Sequence, residues 1–469
     1  VGSGRTAPER RRDRDDAKWR LRSARSRRSV FQVQEDENEA VEAAMAEDEA
    51  VDAGGPLDST ATADASDGTR RPAHIRGVIE TYAAANAFTP AYTGMNFAIA
   101  RPVNDRIDFI FAGQTGLGPG APQRLEIQTR VRVNDRHRVA LSAGAARLNG
   151  LASFQGTKRT LGQYSVRAID EWVVRDGVVI VLGLDYSQFF GEGHDHSLSP
   201  RLGLQFDANA RTRIRAAYAQ GGDEMQTQST LAAFEGQQIA FKQTGAQPIA
   251  LVDGRAVMER SRRFELGVER VLDNESSVEA AAFFDTTSNR GVGLMNTPLS
   301  TFSGESGAAL LSVANQQGAA RGLRVVYSRR ISQVFGASAG YSVGRGQRLS
   351  PRGLSNPADL FDGGFFQTAA LQLNADFGTG THVRTVFRFS PGATVFAIDP
   401  FAGRLAVYDP SLSILVTQDL PTFGLPVRAE AIIDARNLLD TQASTEDDDA
   451  LLSIITGRRS VRGGISVRF

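Results

Sequence analysis

The chain has 469 residues, of which 23% are charged, and its 53 basic and 53 acidic side chains cancel to a net formal charge of zero. It is too polar for a helical membrane protein, and it contains no run of about 18 uninterrupted apolar residues for a membrane-spanning helix. Cysteine is absent, which excludes disulfides and thiolate metal sites.

Residues 1–72 have almost no strand-forming pattern. A basic block from Arg10 to Arg28 precedes an acidic block from Glu35 to Glu49, and a linker rich in Gly, Ser, Thr and Asp follows. Such a segment buries too little apolar area to offset its chain entropy. We therefore expect a charged, mostly disordered low-complexity arm with a short helix at 38–46. Because the acidic block neutralises the basic one, we expect no nucleic-acid partner.

The chain begins at Val1 and carries no charged-then-apolar export signal. We expect that the natural N-terminus has been removed by processing or truncation.

From residue 73 onward the pattern alternates with period 2. In the run Leu125–Val133, every second residue is apolar or methyl-bearing, and the residues between them are Glu126, Gln128, Arg130 and Arg132. Successive side chains of a strand point to opposite faces, so one face of this strand is apolar and the other needs water. Asn134-Asp135 then predicts a tight turn into a second strand.

The same two-strand unit recurs along the chain. Leu202–Tyr218 contains a predicted turn at Asp207–Ala210, and Phe264–Phe284 contains one at Asp273–Glu275. Charged residues on the polar faces of these and the later strands are the candidates for lining a lumen: Glu126, Arg130, Arg132, Arg213, Arg215, Glu265, Glu279, Arg384, Arg388, Arg428, Glu430 and Asp434.

The connections between these strands are alternately short and long. Long segments are predicted at 221–259, 289–315, 344–363 and 437–456, and tight turns lie between them. A soluble sandwich also has strands with one apolar face, but short turns on one rim and long loops on the other are typical of outer-membrane barrels. The fold expected for 73–469 is an all-β, transmembrane antiparallel β-barrel of about 18 strands, within a range of about 16–22.

The last ten residues, Ser460–Phe469, alternate up to a terminal phenylalanine. This ending is typical of bacterial outer-membrane barrels, and Val467 and Phe469 are the candidate C-terminal insertion signal. Phenylalanine dominates the aromatic residues, so the expected interfacial girdles are built from Phe and Tyr. The girdle candidates are Tyr186, Phe189, Phe190, Tyr218, Phe284, Tyr327, Tyr341 and Phe389.

Several short segments resemble the barrel of TonB-dependent receptors. They are Ser199–Leu204 leading into Thr212–Ala219, then Arg263–Glu269, Gly318–Leu323 and Asp434–Asp440, in this order before Phe469. The resemblance covers about residues 74–469. It implies a location in the bacterial outer membrane, a role in solute uptake or transport, and outer-membrane lipid as a partner.

The chain departs from that family in its N-terminal part. Family members have a globular plug and about 22 strands, whereas no plug and no energy-coupling box is evident here. A plug or an energy-transducing partner therefore remains open, as do other outer-membrane proteins as partners. The alternatives to uptake are a passive pore and a non-transporting structural or surface-assembly barrel.

Chemical sites are few in this sequence. His194 and His196 flank Asp195 and are weak metal candidates, because alternate imidazoles on an extended strand share a face. A solvated loop tip is the favoured interpretation, so we expect no metal and no cofactor. No Ser/His/Asp set or carboxylate pair stands out, and we therefore do not expect an enzyme.

Overall fold

The computed structural model describes residues 75–86, 91–104, 106–118, 121, 123–148, 161–191, 193–221, 251–252, 255–298, 309–350, 361–391, 394–401, 405–407, 410–439, 444–447, 450–454 and 459–469. The predicted arm at 1–72 and its helix at 38–46 lie outside these ranges, and both stay predictions. Within the described ranges, no helix is long and apolar enough to cross a lipid bilayer.

The described residues form strands and their connections. In chain order the strands are β1 (Arg76–Asn86), β2 (Tyr92–Asn104), β3 (Ile107–Leu117), β4 (Gln123–Arg132), β5 (His137–Leu148), β6 (Leu161–Arg175), β7 (Val178–Gly191), β8 (His196–Asn209), β9 (Thr212–Gly221), β10 (Leu251–Val252), β11 (Arg255–Ala256), β12 (Arg260–Val271), β13 (Ser276–Pro298), β14 (Ala309–Arg330), β15 (Phe335–Leu349), β16 (Phe361–Phe377), β17 (Thr381–Phe389), β18 (Thr394–Ile398), β19 (Leu405–Val407), β20 (Ser411–Leu420), β21 (Arg428–Arg436), β22 (Ser444–Asp447), β23 (Ala450–Ile454) and β24 (Ser460–Arg468).

Eighteen of these strands form a closed antiparallel ring. Each pairs with the next long strand along the chain, and β24 pairs with both β21 and β1. The seam runs from Val78 opposite Arg468 to Asn86 opposite Ser460, which leaves no unpaired edge. The six short strands β10, β11, β18, β19, β22 and β23 are not members of the ring. The predicted barrel of about 18 strands is confirmed.

The short turns lie at one rim and share a local device. The Asn134 side-chain oxygen accepts backbone N–H bonds from Arg136 and His137, each at 2.8 Å. Asn209 accepts one from Arg211 in the same way. Such side chains mimic a backbone turn, which is why Asn and Asp start these connections. The predicted turn at 207–210 lies two residues later, since β8 continues past a bulge to Asn209.

Asp273 fills the same role in the turn between β12 and β13. Its carboxylate accepts the backbone N–H of Glu275 at 2.8 Å. A hydrogen bond from the Ser276 side chain, followed by the bond from the Glu275 backbone, holds the pKa of Asp273 below its ordinary value.

The two faces of each strand differ as the period-2 pattern predicts. On β4, Leu125 and Ile127 are exposed, while Glu126 between them is 2% exposed. On β14, Leu323 and Val325 are exposed, while Arg324 between them is buried. We call the face with exposed apolar residues the outer face and the opposite one the inner face. An apolar outer face and a polar inner face are what a bilayer-embedded barrel requires.

All four segments predicted as loops contain some paired strand, since β10 pairs with β11 within 221–259 and the β15–β16 pairing extends into 344–363. In 289–315, β13 continues to Pro298 and β14 begins at Ala309, and the two strands pair with each other there. β14 pairs with β15 only from Arg321 onward, so the β13–β14 hairpin extends beyond the neighbouring strand. The register shifts next to Asn289, whose φ is 60°, and the pairing then resumes. In 437–456, β22 and β23 form a hairpin, and β23 pairs with β13. In 289–315 the loop prediction was wrong because a bulge lets a ladder continue where the alternation breaks.

Candidate functional site

A cluster of five charged side chains spans four neighbouring strands of the inner face. Arg324 on β14 contacts Glu265 of β12, with 3.2 Å between Nη2 and Oε1, and also pairs with Glu279 of β13. Glu279 pairs with Arg215 of β9, and Glu265 pairs with Arg263. Because buried charges are costly unless paired, the cluster is a mutually dependent unit. We call it the Arg324 cluster.

A second set of ion pairs lies on strands β6 to β9. Arg213 is 1% exposed, and its Nε lies 3.0 Å from Oδ1 of Asp207. On β7, the carboxylate of Asp185 lies 2.9 Å from Nε of Arg167 on β6 and also pairs with Arg201 on β8. All three pairs join neighbouring strands on the inner face and add polar cross-links to the backbone ladder.

A third set crosses the seam of the ring. Arg462 of β24 lies 3.4 Å from Glu80 of β1, whose carboxylate also accepts a 3.1 Å hydrogen bond from Asn96 of β2. Asp434 of β21 pairs with Arg436 at 2.8 Å and lies 4.0 Å from Arg462. The first and last strands of the barrel are therefore joined by side chains as well as by backbone.

The structure brings several predicted lumen candidates together. Arg215, Glu265 and Glu279 meet in the Arg324 cluster, and Arg213 and Asp434 take part in the other two sets. Arg388 pairs with Asp399 at 2.6 Å. Glu126 and Arg384 are buried on their strands.

The remaining candidates lie at or toward the short-turn rim. Arg428 is more than half exposed and reaches Glu430 at 3.1 Å and Asp419 at 3.2 Å. Arg132 is exposed at the end of β4, and Arg130 is half-buried. Whether all twelve candidates line an aqueous path stays a prediction.

Three central residues of these sets are not among the twelve candidates. Arg324 and Arg462 obey the period-2 rule, since each lies on the inner face next to exposed outer-face residues, and the rule identifies them when applied to every strand. Asp399 has no such signal, because it lies in a connection rather than in a barrel strand.

One predicted girdle residue faces the other way. Phe189 is buried with Leu161, Ala256 and Met258, whereas the neighbouring Phe190 is exposed. Adjacent strand residues cannot share a face, so the prediction was wrong for Phe189.

The segment His194–His196 is built around a structural aspartate. Asp195 Oδ2 accepts the backbone N–H of Met258 at 2.8 Å, and Oδ1 lies 3.2 Å from Nη2 of Arg260. Both histidines are exposed beside it. Among the described residues there is no group of three or more His, Cys, Asp or Glu placed to hold a metal ion.

The terminal residue lies at the seam. Phe469 donates its N–H to the Gly77 carbonyl at 3.0 Å and accepts the Gly77 N–H at 2.8 Å. Its ring crosses Gly77, where a Cβ would collide with it.

Comparisons with known proteins add a family to this architecture. The family model described as "TonB dependent receptor-like, beta-barrel" matches residues 54–381, more than half of the chain. Among curated proteins the search finds no match.

The matches among solved structures include a siderophore receptor and an iron transporter. The siderophore receptor PirA from Pseudomonas aeruginosa is 11% identical, with 85% of this chain and 81% of that chain covered and a TM-score of 0.39. The FrpB iron transporter from Neisseria meningitidis is 12% identical, with 84% and 64% covered and a TM-score of 0.38.

Proposed function

Because the chain belongs to the TonB-dependent receptor-like β-barrel family, whose members are outer-membrane transporters and not enzymes, we infer that it takes up a solute across the bacterial outer membrane. The observation that carries this inference is the Arg324 cluster. Charges of both signs lie on the inner face of a closed ring whose outer face is apolar. Such an interior suits a hydrated, polar solute.

The solute path runs along the inner face. The wall of this path is formed by the twelve charged candidates, with Arg324 and Arg462 added to them. Charges of both signs are paired along the inner face, so we expect no strong preference for anions or cations. A wall made of ion pairs offers exchangeable hydrogen-bond partners to a solute that sheds part of its water.

Partners follow from the same family membership. Outer-membrane lipid surrounds the outer face. Uptake of this kind also needs a plug, on this polypeptide or on another chain, and an energy-transducing partner that acts on the plug. Residues 1–72 are the proposed arm that precedes the barrel at 73–469. We expect limited proteolysis to leave a protected fragment that begins near residue 73.

The test compares cells that express the chain with cells that lack it. Mass spectrometry of the spent medium identifies any solute that only the expressing cells deplete. Uptake of the family type requires energy, so depletion stops when a protonophore collapses the proton gradient. Depletion that continues unchanged contradicts energised uptake and supports the passive pore.

A matched pair of variants ties the activity to the inner face. Glu279→Gln removes a charge from the Arg324 cluster, and we expect slower depletion. Val325→Ile changes the outer face of the neighbouring strand β14 and leaves depletion unchanged. Equal rates for both variants contradict a solute path along the inner wall, and no depletion in any strain supports the structural or surface-assembly alternative.

The terminal strand carries a further proposal. Val467 and Phe469 are the insertion signal read during assembly, in keeping with the position of Phe469 at the closing seam. Pulse-chase fractionation of Phe469→Ala is expected to show delayed arrival in the outer membrane, and normal kinetics contradict the assignment.

A further inference from the structure

The connection between β17 and β20 does not stay at the rim. Its residues Phe396, Ala397 and Ile398 are each 0% exposed, and Phe401 is 2% exposed. Strand β18 pairs with β15 at Gln347 and Arg348, beyond the point where the β14–β15 pairing ends. We call residues 394–401 the inserted segment.

Hydrogen bonds attach the inserted segment to inner-face side chains. Thr368 Oγ1 donates to the Ile398 carbonyl at 2.8 Å, and Arg324 Nη1 donates to the Pro400 carbonyl at 3.1 Å. Arg388 Nε donates to Asp399 Oδ2 at 2.6 Å. These three side chains belong to β16, β14 and β17, so the segment spans several strands of the wall.

Exposure of the neighbouring residues places those contacts inside the ring. Leu323 and Val325 flank Arg324 and are exposed, and Phe387 and Phe389 flank Arg388 and are exposed. Adjacent residues of a strand point to opposite faces. Arg324 and Arg388 therefore point inward, and the segment that they bind lies within the lumen.

Apolar packing fixes the deep end of the segment. Phe401 packs with Val326, Ala370 and Val386, which are buried on β14, β16 and β17. A Cβ added to Gly340 of β15 would lie 2.7 Å from the Cβ of Pro400. Gly340 precedes Gln347, the partner of Phe396, by seven residues of β15. The four residue steps from Phe396 to Pro400 reach at most about 14 Å, so the segment runs nearly extended along β15 into the lumen.

Other aromatic side chains fill the same sector. Phe396 packs edge-on against Phe361 with 5.5 Å between ring centroids. Phe283 of β13 lies 6.4 Å from Phe366 of β16, although these strands are not neighbours in the ring. The sector bounded by β13 and β17 is therefore packed, in contrast to the ion-paired wall of β6 to β9.

We propose that the inserted segment is a built-in obstruction that restricts passage through the lumen, independent of any plug. The proposal rests on the proposed function in one respect, since it assumes that the path of the solute is the lumen. Asp399 attaches the segment to β17 through the bond from Arg388, and it shapes the turn of the segment by accepting the Phe401 backbone N–H at 2.8 Å. Gly340 leaves the space that the turn at Pro400 occupies.

The first variant displaces the segment without touching a polar group. In Gly340→Leu, the new side chain occupies the place of Pro400 and the Phe401 ring. Gly363→Leu on β16 is the matched control, because a Cβ at Gly363 meets nothing within 4 Å. Asp399→Ala is a second, independent variant that releases the segment and leaves every barrel strand intact.

Two readouts are made on the 469-residue chain refolded into phospholipid vesicles. Potassium chloride conductance in planar bilayers measures the open path. Because the chain has no cysteine, a single Ala397→Cys reports the position of the segment through its reaction rate with a water-soluble maleimide. We expect Gly340→Leu and Asp399→Ala to raise conductance several-fold and the labelling rate roughly tenfold, with Gly363→Leu equal to the parent in both.

Each other outcome overturns the proposal in a distinct way. If the thiol introduced by Ala397→Cys reacts rapidly in the otherwise unchanged chain, the segment does not reside in the lumen. If labelling increases in the variants while conductance stays at the parental level, the segment moves but does not obstruct. Energised solute depletion by cells is measured separately, so the uptake function survives either of these results.

Discussion

The two faces of β14 place different requirements on their side chains, although they share one backbone. Leu323, Val325 and Tyr327 on the outer face are exposed. Arg324 on the inner face is bound to two carboxylates and to the Pro400 carbonyl. The outer face therefore needs only apolar character, whereas the inner face needs particular partners. Substitutions on the two faces are expected to differ in kind as well as in size.

Removal of the central inner-face charge has the largest expected effect. Arg324→Met leaves Glu265 and Glu279 short of a partner, and breaking a buried ion pair from one side costs about 3–5 kcal/mol. Urea unfolding in phospholipid vesicles measures this loss. Arg329→Met on the same strand is the control, because Arg329 is exposed and surface substitutions stay within about 0.5 kcal/mol. If both variants lose the same free energy of unfolding, the buried ion pairs of the inner face have no special weight.

A charge on the outer face tests the other half of the comparison. Leu323→Arg places a guanidinium against lipid, where it costs about 2–4 kcal/mol near the bilayer midplane. Leu323→Ile keeps the apolar character and is expected to cost less than about 1.5 kcal/mol. The same unfolding assay measures both. If Leu323→Arg unfolds at the parental urea concentration, the outer face does not meet hydrocarbon.

The faces were predictable from sequence because the period of a strand is 2 and one buried face fixes its register. Leu125, Glu126 and Ile127 show this in three residues. Closure and strand count followed from counting such runs. Local pattern does not contain the contacts of the inserted segment, since the burial of an ordinary apolar residue such as Phe401 depends on the distant Val326. The period-2 pattern predicts that Arg324 faces inward, but it does not predict the hydrogen bond from Arg324 to the inserted segment.

The ring seam is an exception to the general character of the outer face, because a specific contact lies there. Phe469 is about half exposed and its ring crosses Gly77. Phe469→Ala is expected to cost about 1 kcal/mol, roughly half of what a fully buried Phe side chain contributes. Phe423→Ala is the control, because Phe423 is 94% exposed in the turn before β21. A larger loss for Phe423 than for Phe469 contradicts the role of the terminal ring at the seam.

The turn at Asp273 belongs to neither face, and the smallest effect is expected there. Its pKa lies below the ordinary value, so the carboxylate contributes stability that is complete above the unfolded pKa of about 3.9 and is lost as the pH falls through the folded pKa. Asp273→Asn keeps an acceptor for the Glu275 N–H, as Asn134 and Asn209 do in their turns. The parent is therefore expected to exceed this variant slightly in unfolding midpoint at neutral pH, and the difference is expected to vanish in acid. A difference that persists below the folded pKa shows instead that the amide fails to rebuild the turn.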